Sequence, residues 1–152
     1  MKVLVLLPLL GHPRLRKRVE GLREAGAEVR CMAFERDEPF PTGAGDVAES
    51  LGKLSHGRYL ARLRPYAGAL GRVRAAAAGV DAVYTFGPDL LALAEAATLG
   101  LRQPPALAVE VADIREILMD PGLRGRSARA AERALLRRVD VLVHTSQAYV
   151  DG

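Results

Sequence analysis

Apolar residues fall along this chain in two alternating rhythms. Lys2 to Leu7 is an unbroken run of β-forming residues, the pattern of a strand covered on both faces of a parallel sheet. Pro8 to Gly11 reads as a loop, and Pro13 suits the first position of a helix, where its missing N–H costs nothing. From there to about Ala25, Leu15, Val19 and Leu22 recur at helical spacing, while Arg16, Lys17, Glu20, Arg23 and Glu24 face water. Gly26 supplies the left-handed stop. Glu28 to Phe34 predicts a second strand, which completes a strand–helix–strand unit with a right-handed parallel crossover.

The alternation continues. Glu35 to Gly45 is polar and rich in Pro and Gly, a loop, and a weak helix is predicted from about Asp46 to Lys53. Leu60, Leu63, Ala67, Leu70, Val73 and Ala77 then follow one helical stripe, with Pro65 either kinking that helix or opening its second part. Asp81 to Phe86 is the third strand, Gly87-Pro88-Asp89 a tight turn, and Leu90 to Leu99 a helix closed by Gly100. Ala106 to Val111 is the fourth strand, and Asp113 to Gly125 a long loop with room for one helical turn. Ser127 to Arg138 is an amphipathic helix with Ala131, Leu135 and Val139 inward, and Val141 to Thr145 the fifth strand. Strands alternating with helices predict a Rossmann-like, doubly wound parallel sheet in three α/β/α layers, about five strands in the order 2-1-3-4-5. Ligands of such sheets bind at the carboxyl ends of the strands, near the reversal of strand order. Four segments share that rim: Pro8 to Pro13, Thr85 to Asp89, Glu110 to Glu116, and Thr145 to Ala148.

Composition narrows the class. The 152 residues, 49% of them hydrophobic, suit one domain, residues 1–152, with its own core. The single cysteine, Cys31, rules out an internal disulfide and a cysteine zinc cluster; it reads as a buried small hydrophobe and favours a reducing cytoplasm. With aromatics at 5% and no Trp, there is no stacking platform for single-stranded nucleic acid. The opening run is too short, and too soon interrupted by Pro8, for a signal peptide. Net charge is +4; the arginines of the first helix form a solvated face that also permits contact with anionic lipid. Gly152 falls just after a strand and a fresh turn signal, Ser146-Gln147-Ala148, which predicts a fragment of something longer.

Three familiar motifs are missing. The first loop, P-L-L-G-H-P-R, is no G-x-G-x-x-G; no G-x-x-x-x-G-K-[ST] and no G-x-S-x-G occurs either. What the first loop offers is Gly11 beside a helix N-terminus, with His12 as a hydrogen-bonding group and Arg14 as added charge, a place for a negatively charged or oxygen-rich ligand; the alternative is that Gly11 only permits the turn and His12 caps the helix. Phe86 and Gly87 border the same rim at the end of the third strand. In E-V-A-D-I-R-E, Glu110 lies within an apolar strand, where a carboxylate needs a partner, and Asp113 lies just past the strand end. Such an acidic pair can hold sugar hydroxyls or serve as a general base. The alternative is that Asp113 caps a helical turn and Glu110 pairs with an arginine. His56 and His144 have no metal-ligand spacing with His12, so no metal site is expected; His144 reads as a core histidine.

Taken together, these segments resemble the N-terminal domain of a family 4 (group 1) glycosyltransferase of GT-B architecture. Lys2 to Val29 resembles the family's first strand, glycine-containing loop and first helix. Asp81 to Ala97 resembles its third-strand unit, and Pro105 to Leu118 followed by Ala131 to Val150 its acidic strand-end motif, arginine-rich helix and closing T-S turn. The resemblance implies a hexosyltransferase whose N-terminal domain binds the acceptor. A C-terminal domain, absent from this chain, would bind the nucleotide sugar, and no cofactor would be held in this half. It implies Asp113 beside the transferred sugar as the catalytic residue, Gly11 near the donor phosphates or acceptor, and Ser146 lining the cleft. Many relatives carry a histidine where this sequence has Ala112, which changes what that position can do. The implied partners are a sugar acceptor (glycan, lipid or small molecule), the nucleotide sugar and the missing domain, with no nucleic acid. The implied location is cytoplasmic, with a peripheral place at the inner face of the membrane. Two other readings fit the same fold: half of a sugar-nucleotide epimerase, or a non-catalytic flavodoxin-like binding module.

Overall fold

The computed structural model describes residues 1–10, 13–35, 48–54, 59–111 and 116–144, with the backbone alone at 13–15 and 59–62. Six strands form one parallel sheet: β1 (Lys2–Leu7), β2 (Glu28–Glu35), β3 (Ala48–Lys53), β4 (Ala82–Phe86), β5 (Ala106–Val111) and β6 (Val141–His144). Their order is β3-β2-β1-β4-β5-β6. The helices are α1 (Pro13–Glu24), α2 (Tyr59–Ala77), α3 (Gly87–Thr98), α4 (Glu116–Met119) and α5 (Leu123–Leu136).

The five expected strands keep their expected mutual order, and a sixth joins at the edge. Ala48–Lys53, expected as a weak helix, is instead β3, paired with β2 from Cys31 opposite Ala48 to Glu35 opposite Lys53. Its local sequence, A-E-S-L-G-K, carries one large apolar residue, so neither periodicity shows. What fixes it is tertiary. Leu51 and the following Leu54 join the core cluster that holds Phe34. Glu49 accepts a hydrogen bond from Arg30 of β2 and another from Arg72 of α2, both 2.7 Å.

Alternation along the strands divides the core between two faces. Leu4, Leu6, Met32, Phe34, Val83 and Val109 meet α2 and α3 on one side. Val3, Val5, Leu7, Cys31, Ala33 and Tyr84 meet Val19 of α1 on the other. Cys31 is therefore a buried residue of β2. Aspartates tie the feet of the strands. Asp81 accepts from the Lys2 N–H at 2.6 Å, and Asp140 accepts from the Leu107 N–H at 2.8 Å.

Several helix boundaries and faces differ from expectation. α2 runs through Pro65 as one helix, so the proline does not open a second one. Of its expected stripe, Leu70, Val73 and Ala77 pack with the core, as does Tyr66, which meets the Phe34 ring edge-on at 5.2 Å; Leu63 is 61% exposed, Ala67 is exposed as well, and the side chain of Leu60 lies outside the described residues. α3 begins at Gly87, directly on the end of β4, so the expected turn is its first residues. Gly87 has φ +77°, a conformation only glycine adopts freely, and Pro88 needs no N–H partner in a first turn. α5 starts four residues before Ser127, at Leu123. Leu135, Leu136 and Val139 pack against the core, whereas Ala131 is exposed.

Candidate functional site

All six strands run the same way, so their C-terminal ends lie along one edge of the sheet. Chain order reverses between β1 and β4, the position where open α/β sheets leave a crevice. Leu6 stands beside Thr85, Phe86 beside Glu110, and Glu110 beside Val143. The rim thus brings together Phe86, Gly87 and Glu110 of the expected residues. Gly11, His12, Asp113 and Ser146 lie outside the described residues, as does the side chain of Arg14.

Glu110 is the best-defined polar group of the rim. It is 1% exposed, in the interior of an apolar strand. Its Oε2 accepts two hydrogen bonds: from Arg18 Nε of α1 at 3.0 Å and from the Tyr84 hydroxyl of β4 at 2.5 Å. Its Oε1 is buried and has no partner among the described residues. The reading in which Glu110 pairs with an arginine is therefore the observed one. Arg18, expected on a solvated face, turns its guanidinium inward and keeps 41% of its side chain exposed. The hydrogen bond to Glu110 raises the Arg18 pKa above its ordinary value, against the opposing effect of burial. Burial first, and then the bond to Glu110, pushes the Tyr84 phenol well above its ordinary pKa, so Tyr84 stays a donor. Tyr84 also stacks edge-on against Phe86, with ring centroids 5.3 Å apart, which links this cluster to the rim residue before Gly87.

Sequence reasoning singled out Glu110 and missed Arg18 and Tyr84. The signal for Tyr84 was available: it shares a face with Glu110, one pleat down on the neighbouring strand. The choice of Arg18 among the basic residues of α1 was not, because it depends on how that helix crosses the sheet. The rest of the α1 face does behave as a helix surface, with Arg16 Nε 3.5 Å from Glu20 across one turn, both half exposed. His144 is half-buried at the end of β6. Among the described residues no three His, Cys, Asp or Glu side chains are grouped to hold a metal.

A cluster of this kind binds and positions. It clamps α1 against β4 and β5 across the sheet, beside the reversal point. α1 follows the first loop and β5 precedes Asp113 in the chain, so the clamp joins the two elements that flank those segments.

Comparison with known proteins gives the family of the domain. Residues 11–152 match the glycosyl transferase 4-like domain. The chain is also 28% identical, over 159 aligned positions, to the succinoglycan biosynthesis protein ExoL of Rhizobium meliloti (strain 1021); the alignment covers 99% of this chain and 38% of the relative. This chain belongs to the glycosyl transferase 4-like domain family.

Proposed function

We propose that this chain is the acceptor-side half of a glycosyltransferase that moves a hexose from a nucleotide-sugar donor to a glycan, lipid or small-molecule acceptor. The observation that carries the reading is the family match across residues 11–152, laid on a parallel sheet whose reversal point gathers Phe86, Gly87 and Glu110. The relative is a biosynthesis protein by name, and this chain spans 38% of its length. A second, C-terminal unit supplying the nucleotide-sugar site fits that proportion. In this reading Asp113, three residues beyond Glu110, is the catalytic group beside the transferred sugar. Gly11, His12 and Arg14 approach the phosphates or acceptor, and Ser146 lines the cleft. Arg18 and Tyr84 hold Glu110 near the end of β5. The protein works in the cytoplasm, against the membrane when its acceptor is a lipid.

The test uses the full-length protein with a panel of UDP- and GDP-activated hexoses and a crude lipid and glycan extract as acceptor. Label should move into the extract with release of nucleoside diphosphate. Asp113→Asn should slow transfer by at least about 100-fold, the scale of losing a group that acts on the reacting centre. Residues 1–152 alone should transfer nothing, because half of the cleft is missing. Conversion of the nucleotide sugar to its epimer without glycoside formation, or transfer by residues 1–152 alone, would refute the proposal.

A further inference from the structure

A cleft of about 270 Å³ opens at the N-terminal edge of the sheet, away from the rim. The last turn of α3, the link to β5 and the residues between α5 and β6 enclose it. Leu99, Leu101, Pro104, Pro105 and Leu107 give it apolar walls, and Leu99 is 61% exposed at its mouth. Its volume lies just below the ordinary range for small-molecule pockets, roughly 300–1,000 Å³, and suits a ligand of about one ring.

Glu95 reaches this cleft from α3 with 10% of its side chain exposed. Its Oε1 is buried and has no hydrogen-bond partner among the described residues. Its Oε2 stands 3.8 Å from Arg138 Nη1, beyond hydrogen-bond length. A buried carboxylate oxygen without a donor is costly, so the unused acceptor calls for an explanation. The other polar groups at the cleft are engaged within the fold. The Thr98 hydroxyl donates to the Ala94 and Glu95 carbonyls, and Asp140 accepts from the Leu107 N–H. Arg74 of α2 caps the Ala97 and Leu99 carbonyls at the end of α3. Three charged side chains line the cleft: the carboxylates Glu95 and Asp140 and the guanidinium of Arg138, while Arg74 and Arg102 stand outside the lining. Acid therefore outweighs base, which favours a cation and repels an anion. Arg138 is 57% exposed, so water serves it without Glu95.

We propose that this cleft is a binding site for a small organic amine, whose ammonium donates to Glu95 Oε1 while its apolar body lies against Leu99, Leu101 and Pro104. A neutral hydroxyl supplies the same donor but leaves the carboxylate without a close counter-charge, so the ammonium is the better fit. The site lies at the edge of the sheet opposite Phe86, Gly87 and Glu110. It stands apart from the sugar-transfer reading, because amine binding is measured without any sugar.

The experiment titrates the full-length protein at neutral pH with benzylamine, followed by saturation-transfer NMR, with benzyl alcohol and benzoate as neutral and negative controls of similar size. Benzylamine should bind saturably, benzyl alcohol about tenfold or more weakly, and benzoate not at all, since a hydrogen bond between charged groups is worth about 10- to 100-fold in affinity. Glu95→Gln should weaken benzylamine by about tenfold or more and leave benzyl alcohol nearly unchanged. Arg138→Gln should tighten benzylamine by about two- to fivefold, because the competing guanidinium is gone. Leu99→Ser should weaken both benzylamine and benzyl alcohol by about threefold or more, through lost apolar contact. Leu99 and Arg138 are exposed and Glu95→Gln relieves a buried charge, so all three variants should fold, which thermal melts followed by circular dichroism check. Benzylamine should also raise the melting temperature of the wild type and not that of Glu95→Gln. Absence of saturable benzylamine binding overturns the proposal. So does binding that Glu95→Gln leaves unchanged, equal affinity for benzyl alcohol, or tighter binding of benzoate.

Discussion

A carboxylate buried beside one guanidinium and one phenol is stable only while both remain. Removing one partner of a buried ion pair leaves the other charge uncompensated, which costs more than the pair itself contributes. For Glu110, Arg18→Met should cost about 2 kcal/mol, below the fully buried case because 41% of the Arg18 side chain meets water. Tyr84→Phe should cost about 1–2 kcal/mol, one hydrogen bond to a charged group. Urea denaturation of both single variants and the double variant should give non-additive losses, since both donors share Oε2. Glu95 of α3 shows the opposite case. Burial raises its carboxyl pKa, with Arg138 at 3.8 Å only partly opposing this, and its Oε1 is buried without a partner among the described residues. Its folded pKa lies above its unfolded one, so ionisation favours the unfolded chain. The penalty is absent below the unfolded pKa, sets in as pH rises towards the folded pKa, and persists above it. Glu95→Gln should therefore raise the melting temperature at neutral pH, and the gain should disappear when melts are repeated below the ordinary carboxylate range. That position was read from sequence only as part of a helix; nothing in its spacing announces a buried charge.

At the scale of elements, legibility followed the source of each element's stability. β1, β4 and β5 are apolar runs, so their burial is written locally, and the order of the five expected strands followed from right-handed crossovers. β3 was invisible because a short edge strand draws its identity from β2, from Leu51 in the core and from the two arginines on Glu49. The start of α5 was missed for a related reason: Gly122-Leu123-Arg124-Gly125 reads as a loop, yet Gly125 is the residue that lets α4 close on α5. Gly125→Ala should then destabilise by about 1–3 kcal/mol, the range for forcing atoms into a packed contact, because the obstacle is a backbone carbonyl. Gly71→Ala, in α2 with nothing within 4 Å of the added Cβ, should instead stabilise by about 0.5–1 kcal/mol. Opposite signs in parallel denaturation curves would confirm that the α4–α5 corner is a fixed turn; equal small effects would show that it yields.

For the molecule as a whole, the decisive property is that a parallel sheet has two unlike edges. The C-terminal edge holds Phe86, Gly87 and Glu110; the N-terminal edge holds the aspartate ties at Asp81 and Asp140 and the far end of α3. α3 carries a left-handed glycine at each end, Gly87 with φ +77° at the rim and Gly100 with φ +72° just past its other end, and an added Cβ meets nothing within 4 Å at either. Alanine at each should cost a similar amount, about 1–2 kcal/mol, purely from backbone conformation. Their stabilities thus match while their positions differ by the length of a helix, about 18 Å for 12 residues. If sugar transfer takes place at the reversal point, Gly87→Ala in the full-length protein should lower transfer per folded molecule by about tenfold or more, because small misplacements at a reacting centre are costly. Gly100→Ala should leave it near the wild-type value. Equal losses in the two variants would mean that activity merely tracks stability, and a loss confined to Gly100→Ala would move the chemistry to the opposite edge of the sheet.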